Sequence, residues 1–165
     1  MWNAWAQCTA PKGAVCLWLD TAKMAENQWG ETPMHTGSCL CGKVGYEYHG
    51  EIDAISMCHC KQCQKAQGSA FVAVAPIRSA DFHLTRGEAH LKEYRATPGK
   101  VRVFCAECGS PLYSARDDLP EAKRLRLGTL DTPIAPGRRV HAWVSSRAEW
   151  FELADDLPKF PDFAR

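Results

Sequence analysis

The chain is organised around the stretch Cys58-His59-Cys60-Lys61-Gln62-Cys63, which places three thiols within six residues. Two further clusters, Cys39-Leu40-Cys41 and Cys105-Ala106-Glu107-Cys108, carry two thiols each. Thiols at these spacings are poorly placed to form disulfides with one another, but they can face a single metal ion. The pattern therefore predicts thiolate coordination of a metal, most often zinc.

The number of thiols predicts two unequal sites. A closed structural zinc takes four protein ligands, whereas a catalytic zinc takes three and leaves one position open. The middle cluster supplies three ligands from one loop, and the outer clusters supply two each. The resulting assignment is a structural zinc on Cys39, Cys41, Cys105 and Cys108, and an open, catalytic zinc on Cys58, Cys60 and Cys63.

Two alternatives stay open for these thiols. In the first, a histidine such as His59 or His35 supplies a fourth ligand and closes the second site, which would then be structural. His59 lies between two ligands and is expected to point away from the metal, because alternate residues of an extended segment face opposite sides. In the second, the thiols hold an iron–sulfur cluster, although their spacing fits no standard ferredoxin run.

Length and composition indicate a single globular domain. The chain has 165 residues, of which 45% are hydrophobic and 24% charged. Its formal net charge of +1, without a long run of one sign, argues against an electrostatic nucleic-acid binder. No stretch has a signal-peptide pattern or approaches the roughly 18 apolar residues of a membrane span. We therefore expect a cytoplasmic protein without a membrane partner, in which clustered cysteines bind metal rather than form disulfides.

Residues 1–33 differ from the rest of the chain. They carry four tryptophans without a clear period, and Cys8 and Cys16 have no neighbouring cysteine at ligand spacing. We predict that this segment is an N-terminal extension outside the native domain, with both cysteines unpaired. The domain would then comprise residues 34–165, and Met34 is an alternative start.

Most of the chain after the first cluster has strand character. Val44, Tyr46 and Tyr48 alternate with small or polar residues, which is the period of a half-buried strand. A continuous apolar run over residues 70–75 ends at Pro76, as expected for a strand buried on both faces. Further short strands are predicted near residues 54–57, 82–84, 91–95, 101–104, 112–114, 125–129 and 141–144, and a helical turn over 148–153. The pattern predicts a mainly β fold of packed antiparallel sheets with little helix.

The charge of an open three-thiolate site limits its chemistry. Three thiolates outweigh a zinc dication, so the site is net negative and a weak Lewis acid. It is a poor source of hydroxide, but it suits a soft, exchangeable fourth ligand such as a substrate thiol. Binding would deprotonate that thiol and hold it ready to attack an electrophile. The site therefore predicts thiol chemistry rather than hydrolysis of peptides or phosphates.

Four blocks of sequence carry a recognisable pattern. They are Gly37-Ser38-Cys39-Leu40-Cys41-Gly42, the middle cluster, Phe104-Cys105-Ala106-Glu107-Cys108-Gly109-Ser110-Pro111-Leu112, and a C-terminal group of His141, Ser146-Arg147-Ala148-Glu149-Trp150 and Asp156-Leu157-Pro158-Lys159-Phe160. Together they resemble the glutathione-dependent formaldehyde-activating enzyme (GFA) family, also called the centromere-protein-V-like domain. The resemblance extends from residue 35 to residue 160.

The resemblance implies an Mss4-like fold with two Zn²⁺ ions per chain, distributed over the seven thiols as assigned above. It also implies a carbon–sulfur lyase that adds glutathione or a similar thiol reversibly to formaldehyde or another small aldehyde. The product from formaldehyde is S-(hydroxymethyl)glutathione. The expected partners are therefore a small-molecule thiol and an aldehyde. A non-catalytic, zinc-stabilised binding module is the alternative function.

The sequence contains no evident glutathione-binding pattern. Seven basic residues are candidates for binding a glutathione carboxylate, although a solvated strand face is the simpler interpretation: Arg78, Arg86, Lys92, Arg95, Arg102, Arg124 and Arg126. His59 and Gln62 are candidates either for hydrogen bonds to a thiolate or substrate oxygen, or for orienting the loop. Trp143 and Trp150 are expected in the core. His141 is expected to be hydrogen-bonded rather than a ligand.

Overall fold

The structure is a computed structural model that describes residues 33–135 and 137–162. Within these residues the chain forms eleven strands and one α-helix. The predicted N-terminal extension, with its unpaired Cys8 and Cys16, lies outside the described residues apart from Pro33 and stays a prediction.

The strands are short, with two to eight residues each. In chain order they are β1 Met34–Ser38, β2 Gly45–His49, β3 Ala54–Cys58, β4 Val72–Arg78, β5 Phe82–Arg86, β6 Leu91–Thr97, β7 Lys100–Cys105, β8 Pro111–Arg116, β9 Leu119–Arg126, β10 Arg138–Ala142 and β11 Lys159–Phe160. The helix, α1, spans Lys61–Gln67 and connects β3 to β4.

The strands form two sheets. One has three strands in the order β1-β2-β5, and the other has eight in the order β11-β10-β3-β4-β9-β8-β7-β6. Pairing is antiparallel throughout, except that β10 runs parallel to both β3 and β11. The prediction of a mainly β fold with packed sheets and little helix is confirmed.

A hydrophobic core joins the two sheets. The alternation in β2 points Tyr46 and Tyr48 to one side, where they pack with Ala75 and Ile77 of β4 and with Leu125 of β9. Burying a large apolar side chain contributes about 1.5–3 kcal/mol relative to leaving it exposed. The period-two pattern in the sequence thus sets which face of each strand meets the other sheet.

Several elements differ from their predicted bounds. β4 continues through Pro76 to Arg78, because it pairs with β3 only over residues 72–74 and Pro76 needs no N–H donor on that side. β9 ends at Arg126, where the Thr129 hydroxyl donates to the Arg126 carbonyl (2.8 Å) and favours a 3₁₀ turn over 127–129. The helical turn predicted over residues 148–153 is a hydrogen-bonded turn, in which the Phe151 N–H donates to the Ala148 carbonyl (3.1 Å).

No helix in the described part of the chain is both long and apolar enough to cross a bilayer.

Candidate metal centres

Four thiols that are distant in sequence meet where β1 and β7 end. Cys39 follows β1, and Cys105 is the last residue of β7. The sulfur atoms of Cys39, Cys41, Cys105 and Cys108, hereafter the four-thiol group, all lie within 4.8 Å of one another. Sγ of Cys41 is 3.5 Å from that of Cys39 and 3.8 Å from that of Cys105. A tetrahedral zinc with Zn–S bonds of about 2.3 Å requires sulfur separations of about 3.8 Å. The group therefore fits zinc.

Both loops that carry these thiols turn through a glycine. Gly42 and Gly109 each have a φ of 74°, a left-handed conformation that other residues adopt only with strain. Ser110 joins the loops, since its hydroxyl accepts a hydrogen bond from the Leu40 N–H (2.9 Å). The same hydroxyl lies 3.3 Å from Sγ of Cys108 and is the main cause that lowers the pKa of this thiol to about 5. A metal needs the thiolate that this shift favours.

The remaining three clustered thiols meet where β3 leads into α1. Cys58 ends β3, Cys60 is the N-cap of α1, and Cys63 lies in the first helical turn. Their sulfur atoms lie within 4.8 Å of one another and are hereafter the three-thiol group. The expectation that one loop carries all three was wrong for Cys63. The helix forms because Sγ of Cys60 accepts a hydrogen bond from the Cys63 N–H (3.4 Å) and Gly68 ends the helix in a left-handed conformation.

Hydrogen bonds within the three-thiol group separate the acidities of its members. The bond to Cys60 is the largest cause that raises the pKa of Cys58, and the same bond lowers the pKa of Cys60 to about 2. The hydrogen bond between them therefore favours the thiolate form of Cys60. Metal binding to such a group releases the remaining protons, because the ligands must be thiolates.

A cavity adjoins the three-thiol group. Among residues 33–135 and 137–162, no histidine, carboxylate or further cysteine joins these three sulfur atoms, so neither His35 nor His59 completes the site. All three cysteines instead line a cavity of about 750 Å³. The seven thiols thus lie in one group of four and one group of three that could each hold a metal ion, and the three-thiol group faces space for a small molecule.

His59 turns away from the thiols into a buried hydrogen-bond chain. Its ring is 0% exposed, with Nε2 lying 2.8 Å from Nδ1 of His141, whose own Nε2 lies 3.0 Å from the Asp155 carboxylate. Burial is the main cause that lowers the pKa of His59. The Gln64 amide donates to the His59 carbonyl (2.5 Å) and to that of Ser146 (2.8 Å). These contacts hold the thiol-bearing segment in place and leave His141 hydrogen-bonded, as predicted.

Basic side chains share this cavity with the three thiols. Lys100, Arg116, Arg124 and Arg126 line it, and Arg102 lies nearby, where its guanidinium donates to Oε1 of Gln62 (2.7 Å). The solvated-face interpretation is wrong for Arg102 and Arg126, whose side chains are only 9% and 4% exposed.

The remaining predicted candidates divide between exposed and buried positions. Four basic residues are exposed as expected: Arg78, Arg86, Lys92 and Arg95. The Gln62 Oε1 also accepts from the Thr97 hydroxyl (3.3 Å), which fits the predicted role in orienting the loop. Trp143 packs beside the three-thiol group and lines the cavity, whereas Trp150 is 75% exposed, so the core prediction was wrong for Trp150.

Comparison with known proteins agrees with this geometry. The profile of the family described as Glutathione-dependent formaldehyde-activating enzyme matches residues 34–146. The chain belongs to this family. An uncharacterized lyase of Schizosaccharomyces pombe is 29% identical over 83 residues, which make up 50% of this chain and 58% of that protein. Family membership and the name of this relative support a lyase-type function.

A solved structure resembles the fold. The crystal structure of a Rhodobacter sphaeroides protein superposes with a TM-score of 0.51 at 24% sequence identity, covering 61% of this chain and 91% of that one. This likeness supports the β architecture described above.

Proposed function

We propose that this protein is a zinc-dependent carbon–sulfur lyase that joins glutathione, or a similar thiol, reversibly to formaldehyde or another small aldehyde. The observation that carries the proposal is the three-thiol group on the wall of a cavity of about 750 Å³. Family membership adds the substrate class. The seven clustered thiols are all free cysteines, which suits a reducing compartment such as the cytoplasm.

The two thiol groups would have different roles. Cys39, Cys41, Cys105 and Cys108 would hold a structural zinc, because four thiolates complete its coordination. Cys58, Cys60 and Cys63 would hold the second zinc, which would favour ionisation of a substrate thiol at neutral pH.

The side chains of the protein orient and shield the reacting groups. α1 and the His59–His141–Asp155 chain keep the three cysteines converged on one point. Lys100 and Arg126 line the same cavity and would stabilise negative charge on sulfur or on the aldehyde oxygen. In the overall addition, sulfur bonds to the carbonyl carbon and the thiol proton ends on the carbonyl oxygen. The reaction therefore needs no redox partner.

A cobalt titration tests whether the three-thiol group accepts a thiol. Cobalt replaces zinc in thiolate sites, and its visible d–d absorption reports coordination. We expect glutathione to cause a saturable spectral change that S-methylglutathione does not cause, because the thioether cannot form a thiolate. The change should be lost in Cys60→Ser, which removes one ligand of the group.

Turnover is tested separately by NMR exchange between free and hydroxymethylated glutathione in the presence of formaldehyde. We expect the protein to raise the exchange rate above the uncatalysed rate and Cys60→Ser to remove the increase. An unchanged cobalt spectrum at millimolar glutathione, together with uncatalysed exchange, would contradict the lyase proposal. It would favour a zinc-stabilised binding module instead.

A further inference from the structure

One face of the eight-stranded sheet continues as a largely apolar floor beyond the three-thiol group. Directly paired residues, and residues two positions apart on one strand, share a face of a sheet. Cys58 pairs with Ala142 of β10, and two positions earlier on β3, Ser56 pairs with Val140 of β10 and Val74 of β4. Two residues of a strand span about 7 Å, so the row of Ser56, Val74 and Val140 lies that far from Cys58.

A cavity of about 450 Å³, hereafter the apolar cavity, has this row in its lining. Ser56, Val74 and Val140 line it together with Pro158 and Phe160 from the C-terminal segment. The opposite face of β4 packs in the core shared with the three-stranded sheet, so that sheet does not cover the cavity. Sites for small molecules are commonly cavities of roughly 300–1,000 Å³ with mostly apolar walls and a few polar groups. The apolar cavity therefore has the size and the lining of such a site.

The apolar cavity adjoins the cavity of the three-thiol group. Cys58, Val74 and Trp143 border both cavities. Trp143 also packs against the buried cluster that contains Cys58 and Cys63. A molecule that lies in the apolar cavity with one end beside Cys58 therefore reaches the place where the proposed addition would occur.

Trp143 is held between the two cavities in an unfavourable backbone conformation. Its φ of 60° is the only positive value among the non-glycine residues that the structure describes. A bulky side chain in this region is strained, because its Cβ lies close to the following carbonyl oxygen. The Trp143 N–H donates to the Asp162 carbonyl (2.7 Å), and the Trp143 carbonyl accepts from the Ser146 N–H (3.1 Å). Strain kept at a cavity wall in this way indicates that the position of the indole matters for function.

We propose that the aldehyde substrate carries an apolar chain of several carbons, which lies in the apolar cavity against Trp143 while the carbonyl group reaches the three-thiol group. Formaldehyde, with a single carbon, would leave this cavity unused. The proposal rests on the proposed function, because it concerns the aldehyde that the lyase would use. The chemistry is the same addition: the sulfur–carbon bond forms, the carbonyl π bond breaks, and the thiol proton ends on oxygen.

A series of straight-chain aldehydes tests the proposal. Propanal, butanal, pentanal and hexanal have nearly equal intrinsic reactivity toward a thiol but differ in apolar area. NMR exchange between each free aldehyde and its glutathione hemithioacetal gives the specificity constant of the zinc-loaded protein. We expect this constant to rise by about threefold for each added methylene group that is buried, until the chain is longer than the cavity.

A variant that fills the apolar cavity should remove this preference. Val140→Phe adds a ring at the floor and should lower the ratio of the specificity constants for hexanal and formaldehyde by about tenfold or more. The matched control is Val144→Phe, at a half-buried valine in the turn after β10 that lines neither cavity, and it should keep the ratio. Circular dichroism verifies that each variant is folded.

A second variant keeps the proposal testable if Val140→Phe does not fold. Ala54 lines the apolar cavity two positions before Ser56 on β3, at the end far from Cys58. Ala54→Leu should therefore shorten the cavity, so that the specificity constant stops rising at a shorter aldehyde than in the unmodified protein.

Binding without turnover is measured with hexanamide, which has the same chain but no reactive carbonyl group. We expect saturable changes in the methyl NMR signals of Val74 and Val140, which line the apolar cavity. The signals of Val44, which is buried in the core, should not change. Acetamide at the same concentration should have no effect, because it lacks the apolar chain.

The outcomes separate this proposal from the lyase proposal. Accelerated exchange with formaldehyde and no rise along the aldehyde series would overturn the chain-binding role and leave the lyase proposal intact. An unchanged rise in folded Val140→Phe, or hexanamide binding that leaves Val74 and Val140 unaffected, would also overturn it, since the chain would then lie elsewhere. Absence of acceleration with every aldehyde, formaldehyde included, would overturn both proposals.

Discussion

The four-thiol group and the three-thiol group use similar cysteine spacings but combine them differently. The four-thiol group takes two ligands from each of two loops that lie 64 residues apart, counted between Cys41 and Cys105. The three-thiol group takes all its ligands from one strand end and the start of one helix. The first therefore ties distant parts of the fold together, whereas the second connects only β3 to α1.

The packing around the two thiol groups also differs. Cys39 and Cys105 of the four-thiol group are 3% and 0% exposed, and both pack in the core that joins the two sheets. Cys41 of that group is exposed. Cys58 and Cys63 of the three-thiol group are also buried, but they pack in a separate cluster and line a cavity that contains basic side chains. The comparison indicates that a fourth protein thiol makes a site part of the fold, and that a cavity in its place leaves the site free for chemistry.

The largest expected difference follows from removing one ligand of each group. Cys105→Ser should lower the free energy of unfolding by about 4 kcal/mol or more, because loss of a structural metal is among the most damaging substitutions. Cys63→Ser should lower it by about 1–2 kcal/mol. Denaturant unfolding in excess zinc measures both values, and native mass spectrometry counts the metal ions retained.

One outcome for Cys105→Ser and Cys63→Ser would contradict the different roles of the two groups. If Cys63→Ser unfolds the domain as Cys105→Ser does, both groups are structural and the comparison fails. Loss of one metal with the fold retained in Cys63→Ser is the expected result. Its cobalt spectrum should also no longer respond to glutathione.

The division of the thiols could be predicted from the sequence, whereas the environment of the second group could not. Spacing alone placed Cys58 with Cys60 and Cys63, because ligands close in sequence must lie close in space. The helix was missed since α1 has only seven residues and no apolar period. Gly68 was a sequence signal for the end of the helix, whereas Cys60, its N-cap, is not a residue type that marks a helix start in a sequence.

The burial of Arg126 is another feature that could not be predicted from the sequence. The alternation Arg124-Leu125-Arg126 predicts that one face of β9 is apolar and the other basic. It does not reveal what covers the basic face. That depends on α1, whose Gln62 contacts Arg102, and on the sheet order that places β9 between β4 and β8. Such long-range packing leaves no local pattern in the sequence.

A smaller effect on the free energy of unfolding is expected in mild acid, from His59 beside the three-thiol group. Burial lowers the pKa of His59 below its unfolded value of about 6.5. Below pH 6.5 the unfolded chain therefore binds a proton that the folded chain does not, and stability falls with pH until the folded pKa is reached. One such proton changes the free energy of unfolding by at most about 1.4 kcal/mol per pH unit.

His59→Gln removes this titratable group. It should make the free energy of unfolding fall less steeply between pH 6.5 and pH 5.5, a range set by the unfolded pKa. Denaturant unfolding at several pH values measures the slope, and metal content measured alongside separates it from loss of zinc. A matched variant, His83→Gln, changes an exposed histidine on β5 and should keep the slope of the unmodified protein. Equal slopes in all three proteins would assign the acid sensitivity to the thiolates instead.

The smallest expected effects come from the glycines that shape each group. Gly109 turns the loop after Cys108 with a φ of 74°, and Gly68 ends the helix that carries Cys63 with a φ of 62°. No atom lies within 4 Å of an added Cβ at either position, so alanine introduces backbone strain without a clash. Each substitution should lower the free energy of unfolding by about 1 kcal/mol. Gly128→Ala is the control, since Gly128 has equal space and no positive φ.

If the two groups have separate roles, Gly109→Ala weakens zinc retention without changing the cobalt response to thiols, whereas Gly68→Ala changes that response. The reverse pattern would mean that the two groups are coupled through the sheets rather than separate in role.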